Sequence, residues 1–280
     1  MKTLISNLDN LEKFKTKIMS EGWQSLHVLA DFDRTLTYGA VNGVKTPSII
    51  SILRDGNHLT ADYAEQAHAL FNKYHPIEVD INISISEKKL AMQEWWEAHN
   101  KLLIESGLSK SDLEEVVTSD QIKFREGVVE LLEFLRDQDI PLIIFSASGC
   151  GDVIEMFFES KSVNFKNISY LTNKFNWDES GRAISSVQPI IHSMNKDETL
   201  LESIPEIYQL IKDRKNVLLL GDSIGDLGMV TGFDYECLLT IGFLNFDYNQ
   251  SRELYEEKFD IVLEGDGDAG FINELLMKLV

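Results

Sequence analysis

Two aspartates, Asp31 and Asp33, stand two residues apart where the apolar run of Val28, Leu29 and Ala30 gives way to Phe32 and a polar stretch. A continuous apolar run of this kind predicts the end of a strand covered on both faces, and residues i and i+2 of a strand point the same way. Both carboxylates therefore project from a strand's carboxyl edge, where open α/β sheets bind ligands. Like charges held so close need a cation or a proton between them. Mg²⁺, which prefers carboxylate oxygens and substrate phosphate, meets that need. An Asp-x-Asp pair also forms ordinary turns, so its chemistry depends on partners elsewhere in the chain.

Two later apolar runs end in the same manner. IPLIIF delivers Ser146, followed by Ala147, Ser148 and Gly149, and NVLLLG delivers Asp222. If these strands are parallel neighbours, their ends converge. Asp222 then joins Asp31 and a backbone carbonyl near Asp33 as oxygen ligands for octahedral Mg²⁺, the metal site being Asp31, Asp33 and Asp222. The small residues at and after Ser146 leave backbone N–H groups free near a helix start, an anion site. Lys196, in the segment Asn195-Lys196-Asp197, offers a point charge to a phosphate and to the nucleophilic carboxylate. Together the set reads as a phosphoryl-transfer site. Asp31 attacks phosphorus and forms an aspartyl-phosphate, while Asp33 protonates the leaving oxygen and then activates water. Taken singly, each residue has an ordinary use: Asp222 as a helix N-cap, Ser146 as a turn residue, Lys196 as a solvated charge. Their order and spacing together argue for chemistry.

The elements that must position these residues alternate. Leu8, Leu11, Phe14 and Ile18 predict an amphipathic first helix, with strand Leu26–Phe32 after it. From Gly127 onward come a helix at Val128–Gln138, strand Ile140–Ser146 and a helix after Gly151. A polar hairpin within 173–187 interrupts, before a helical segment around Asp197–Lys212, strand Asn216–Asp222, a short helix, strand Leu238–Gly242 and a final helix from Ala269. Between these blocks the texture is helical: Thr60 caps a helix through Lys73, Ser84 with Glu87 makes a capping box for a longer helix ending near Gly107, and a third spans Ser109–Thr118. The expected architecture is α/β, a Rossmann-like parallel-sheet core of residues 1–38 and 122–280 with a mainly helical cap, 39–121, inserted after the first strand.

The chain has 280 residues, 44% apolar, with 26 basic and 46 acidic side chains and a net charge of −20. That balance argues against a nucleic-acid polymer or an anionic membrane as partner. There is no apolar leader or membrane-length stretch, and the two cysteines, Cys150 and Cys237, make no disulfide framework, so cytoplasmic residence is expected. The segment EGDGDAG, Glu264–Gly270, lacks a full calcium-loop ligand series and reads as a surface turn.

DFDRTLT, FSASGCGD, NKDE and GDSIGDLGM resemble the four signature motifs of the haloacid dehalogenase (HAD) superfamily. The chain is more closely similar to the cytosolic type III pyrimidine 5′-nucleotidases, including YHPIEVD and EWWEAHNKLL in the cap and FDIVL near the end. The resemblance implies Mg²⁺-dependent hydrolysis of nucleoside 5′-monophosphates. It implies Asp31 as nucleophile, Asp33 as acid/base, and Asp222 as metal ligand. Asp226 assists through the metal's water shell or by orienting Lys196, and Ser146, Ala147 and Lys196 bind phosphate. In the cap it implies that Glu78 contacts the nucleoside, with Trp95 and Trp96 beside it, of which Trp96 is the expected base-stacking residue. His99 stands where relatives commonly carry a serine, and is expected to bind substrate. A pyrimidine monophosphate is the first expectation. The alternatives are a phosphatase or phosphotransferase acting on another small phosphomonoester, and a nucleotide sensor without turnover.

Overall fold

The computed structural model describes the chain except residues 1, 42, 57, 81, 198, 199, 201–203, 233, 247 and 280. A seven-stranded sheet is assembled from β1 (Lys2–Ile5), β2 (Leu26–Ala30), β5 (Leu142–Phe145), β6 (Ile168–Leu171), β9 (Asn216–Gly221), β10 (Cys237–Leu244) and β11 (Ile261–Glu264), in the order β1-β11-β10-β9-β2-β5-β6. All neighbours are parallel except β1, which runs antiparallel to β11. From β2 the chain builds outward through β5 and β6, then returns to the other side of β2 for β9, β10 and β11. The reversal leaves a crevice between β2 and β9, the place where doubly wound sheets receive ligands.

Alternate residues of the central strands face opposite layers. Val28 and Ala30 of β2 and Leu218 and Leu220 of β9 enter one core, whereas Leu29, Val217 and Leu219 enter the other. Every residue of β2 and β9 is buried, which is why both strands are apolar on both faces, except for His27 and Asn216, rather than alternating. The covering helices include α1 (Leu8–Glu21), α6 (Val128–Asp137), α7 (Asp152–Ser160), α8 (Pro205–Ile211), α9 (Tyr248–Lys258) and α10 (Gly270–Met277).

Between β2 and β5 the chain forms a small hairpin of β3 (Ala40–Val41) and β4 (Val44–Lys45). Four helices follow: α2 (Ile49–Asp55), α3 (Tyr63–Val79), α4 (Ile85–Glu105) and α5 (Lys110–Thr118). The Ser84 capping box opens α4, its hydroxyl accepting from the Glu87 amide. A second hairpin, β7 (Phe175–Trp177) with β8 (Ala183–Ser186), occupies the polar interruption.

Several expectations need correction. A strand, β1, precedes the first helix, so the aspartate-bearing strand is the second in the chain; four residues at a sheet edge carry too little pattern to be seen. Helix α2 and strands β6 and β11 are too short to show a period, and all are held by neighbours. Helix α3 starts at Tyr63 and runs through Pro76 to Val79, because tertiary packing of Tyr63, Ala67 and Tyr74 outweighs one missing N–H. The helical segment expected around Asp197–Lys212 is described only as α8, and its residues 198, 199 and 201–203 lie outside the described residues.

Arg125 is the buried polar hub of the core, 1% exposed. Its guanidinium donates to the carbonyls of Arg34, Thr35 and Gly267 and to the side chains of Asp266 and Asn245. Asp266 in turn accepts from the amides of Gly39 and Ala40, each at 2.7 Å. EGDGDAG is therefore more than the surface turn expected: Asp266 ties the first crossing into the helical insertion to the core. The two crossings also bond each other, Tyr38 N–H to the Lys123 carbonyl and Arg125 N–H to the Leu36 carbonyl, both at 3.0 Å.

Arg125→Met strands Asp266 and several carbonyls, and is expected to lower unfolding free energy by about 3–5 kcal/mol in urea titration. His27, fully buried in β2 with Nδ1 2.8 Å from the Arg214 carbonyl, is pushed down to about 4 by burial. The unfolded chain binds its proton first, so stability present above pH 6.5 is lost as pH falls towards 4. Between pH 6.5 and 5 this amounts to about 2 kcal/mol. A shallower pH slope in His27→Gln checks it.

Candidate active site

The register of the central strands brings the proposed chemistry together. Ala30 pairs with Leu220 on one side and Ile144 on the other, so β2, β9 and β5 end at one level, delivering Asp31, Asp222 and Ser146 to adjacent positions. Asp31 N–H donates to the Leu220 carbonyl at 3.1 Å, extending the ladder by one residue. Beyond it the chain turns sharply: Arg34 takes a left-handed conformation, φ 61°, and its amide donates to Thr37 Oγ1 at 2.9 Å. The turn leaves Asp33 half-buried at the mouth.

Carboxylate oxygens of Asp31, Asp222 and Asp226 all lie within 4.8 Å of one another. Lys196, 7% exposed, inserts its ammonium between them, donating to Asp31 and, at 3.0 Å, to Asp226 Oδ1. The other Asp226 oxygen accepts from the Ser223 amide at 3.0 Å, in a capping box at the turn Ile224–Val230. Both Asp226 oxygens are thus occupied, which suits a residue that orients Lys196. Gly221 permits this packing, since a Cβ there would sit 2.6 Å from Asp226 Cβ. The side chain of Asp33 is not in the three-acid cluster, and its backbone carbonyl remains the atom offered by the sequence reading.

The electrostatics follow from burial. Asp31 is pushed up to about 7 by burial, against the attraction of Lys196 and with repulsion from Asp226. Asp222 rises well above the carboxylate range for the same first cause, reinforced by Asp31 and Asp226. Burial works against the charged Lys196 ammonium, but Asp226 and Asp31 overcome it and raise its pKa. Asp33 is pushed up to about 6 by burial, with Arg34 opposing. One ammonium among three closely spaced acids, of which Asp31 and Asp226 are buried and Asp222 half-buried, leaves room for a further positive charge, so Asp31 and Asp222 fit a divalent cation with hard oxygen preference.

Ser146 is buried, and its Oγ accepts from the Ser148 amide at 3.1 Å. The amides of Ala147 and Gly149 find no protein acceptor among the described residues. Sequence reasoning missed Asn173, which fixes this loop by donating to the carbonyls of Ser148 and Ile191 while accepting from Ile191 N–H. It also missed Tyr255, whose hydroxyl donates to the Asp222 carbonyl. Neither lies in a motif, and both act through contacts distant in sequence. Cys150, beside this loop, is fully buried and its thiol is raised by burial, which leaves it inert.

A cavity of about 640 Å³ joins the two halves. Asp31, Asp33, Ser146, Ala147 and Lys196 line it from the core, and Glu78, Trp96 and His99 from the helical insertion. Asp222 and Asp226 lie outside this lining. Trp96 packs directly on Gly149, where a Cβ would stand 2.2 Å from the indole. His99 stacks on Trp96 at 5.5 Å and 5°, with Nε2 3.0 Å from the Tyr63 hydroxyl. Burial pushes His99 down to about 4, so it is neutral at pH 7. Trp95 is the buried member of the tryptophan pair and stacks on Tyr74.

The family model for pyrimidine 5′-nucleotidase (UMPH-1) matches residues 34–280. This chain belongs to that family. It is 34% identical to the 7-methylguanosine phosphate-specific 5′-nucleotidase of Gallus gallus over 92% of this chain and 89% of that one. It is 35% identical to the Homo sapiens protein of the same name, over 92% and 86%. A crystal structure of cytosolic 5′-nucleotidase IIIB bound to cytidine superposes with a TM-score of 0.86 at 27% identity, covering 99% of this chain and 92% of the other. A substrate-bound phosphoserine phosphatase, TM-score 0.51 at 17% identity over 90% and 97%, shares the HAD fold. The chain is thus a 5′-nucleotidase, a phosphoric monoester hydrolase, built on a HAD core with a helical cap.

A metal held by Asp31 and Asp222 would compete with protons, since burial raises both carboxyls and keeps them protonated at low pH. Added Mg²⁺ is therefore expected to raise the melting temperature more at pH 8 than at pH 5.5, by differential scanning fluorimetry; an equal rise at both would refute the competition.

Proposed function

We propose that the protein hydrolyses nucleoside 5′-monophosphates through an aspartyl-phosphate on Asp31. The observation that carries this reading is the placement of Asp31, Asp33 and Lys196 in one cavity with Glu78 and Trp96. Ser146, the Ala147 amide and Lys196 hold the phosphoryl oxygens. An Asp31 carboxylate oxygen bonds to phosphorus as the bond to the ribose 5′-oxygen breaks, and Asp33 gives its proton to that oxygen. Asp33, now a carboxylate, takes a proton from the water that attacks phosphorus, releasing phosphate and restoring Asp31. A pKa near 6 suits both duties. Asp31, Asp222 and the Asp33 carbonyl would hold Mg²⁺, with Asp226 orienting Lys196; the metal, when bound, supplies charge neutralisation for the transferring phosphoryl group.

Residues 39–121 act as the cap that selects the nucleoside. A carboxylate at Glu78 and an indole face at Trp96 suit a flat base bearing N–H donors. Cytosine meets this demand and keeps the pyrimidine expectation. The names of the relatives favour 7-methylguanine as a second candidate, whose cationic ring also gains from an indole face. The substrate is a small molecule, and among the described residues no helix is long and apolar enough to cross a membrane. The similarity to a putative cytosolic 5′-nucleotidase supports a cytosolic site of action.

Phosphate release from cytidine, uridine and 7-methylguanosine monophosphates, with Mg²⁺ and then with chelator, tests the reading. Release is expected to require metal, to vanish in Asp31→Asn, and to fall by about 10²–10⁴ in Asp33→Asn. Release by Asp31→Asn at the native rate would remove the covalent step.

A further inference from the structure

Glu78 is held from the core as well as from the cap. It sits one residue before the end of α3, where Lys88 Nζ donates to its backbone carbonyl at 2.7 Å. Its carboxylate reaches across the seam: Ser193 Oγ donates to Oε1 at 2.6 Å, while His75 Nδ1 lies 3.3 Å from Oε2. Ser193 belongs to the loop that carries Lys196, three residues on. That loop is internally braced, with His192 N–H donating to Asn195 Oδ1 at 2.8 Å and Asn195 Nδ2 donating to the Ile190 carbonyl at 2.9 Å. A second crossing lies one residue past the lysine, where Lys89 Nζ stands 3.4 Å from Asp197 Oδ2. The cap therefore grips the lysine loop on both sides of Lys196.

We propose that Ser193 is a positioning residue for nucleoside recognition. The inference rests on the nucleotidase reading and adds to it the means by which the two ends of the cavity are coupled. A half-exposed glutamate near a helix end rotates freely, and a carboxylate that must accept from a base or ribose is effective only in one plane. A hydroxyl donating to one oxygen at 2.6 Å is a short charge-assisted bond that, together with His75 beside Oε2, selects that plane. Because the hydroxyl rides on the braced loop of Lys196, the plane is selected only when the cap rests on the core in register with the lysine. Nucleoside binding and phosphate placement then report the same closed geometry.

A simple fastener between cap and core predicts something different, since its loss would weaken every ligand of the closed form equally. Steady-state kinetics on the full chain separate the two, with cytidine and 7-methylguanosine monophosphates as substrates and inorganic phosphate as a competitive inhibitor that probes the phosphate end alone. Ser193→Ala is expected to raise KM for the better nucleotide about tenfold, with kcat and the phosphate inhibition constant within about twofold of the native values. Ser193→Thr, which keeps the hydroxyl, is expected to restore KM. Equal weakening of nucleotide and phosphate, an unchanged KM, or no rescue by threonine overturns the positioning role while leaving the nucleotidase reading intact. A native protein that releases phosphate from no nucleoside monophosphate overturns that reading first, and the inference with it.

Discussion

The crowding of negative charge at the end of β2 is the constraint around which the molecule is built. Asp31, Asp222 and Asp226 converge because two neighbouring parallel strands, β2 and β9, and the turn after β9 end at one level, and burial makes each charge costly unless it is opposed. Lys196 answers part of that demand from a loop far away in sequence. Removing it would leave buried acids facing one another, so its place in the fold and its place in the chemistry have one physical origin. The remaining negative charge is what a divalent cation and a phosphate-bearing substrate would share.

That arrangement requires the strand ends and the entry to the cap to stay in register, and Arg125 provides the connection. A fully buried guanidinium is tolerable only with every donor engaged. Here its partners include the carbonyls of Arg34 and Thr35, next to Asp33, and Asp266, which anchors Gly39 and Ala40. The position of the acid/base candidate and the attachment of the cap are thus set by one side chain. In a chain of net charge −20 the cavity is locally balanced, with Lys196, Arg34 and Arg54 lining it alongside Asp31, Asp33 and Glu78. Charge is arranged locally against the global sign.

The cap end is governed by aromatic packing. Trp96 rests on Gly149 of the phosphate loop, with His99 stacked behind it and Tyr63 bonded to His99. Phe71 stacks on His75 at 4.6 Å on the same side of the cavity as Glu78, giving the nucleoside end apolar surfaces and a carboxylate. The absence of a side chain at Gly149 is what lets Trp96 of α4 touch the loop after β5, so that helix and core line one cavity.

How much of this was legible in the chain depends on the range of the forces involved. The apolar runs ending in Asp31, Ser146 and Asp222 identified the central strands, since double burial writes itself as uninterrupted hydrophobicity. The capping box at Ser84 marked α4, since cap hydrogen bonds are local, and the Ser109–Thr118 stretch marked α5. The motif resemblance carried the family and the fold. What lay beyond reach were elements defined by distant partners: β1 exists only against β11, and β6 only against β5. Arg125, Asn173, Tyr255 and Ser193 bond to partners from 18 to 142 residues away, without any local pattern to mark them. By itself the sequence determined which residue types reach the sheet edge and with what spacing, because those follow from backbone periodicity and burial. Only the tertiary structure decided which acids meet Lys196, which glycines admit a neighbour, and which core hydroxyl holds Glu78, because each depends on packing between segments that the chain order leaves unrelated.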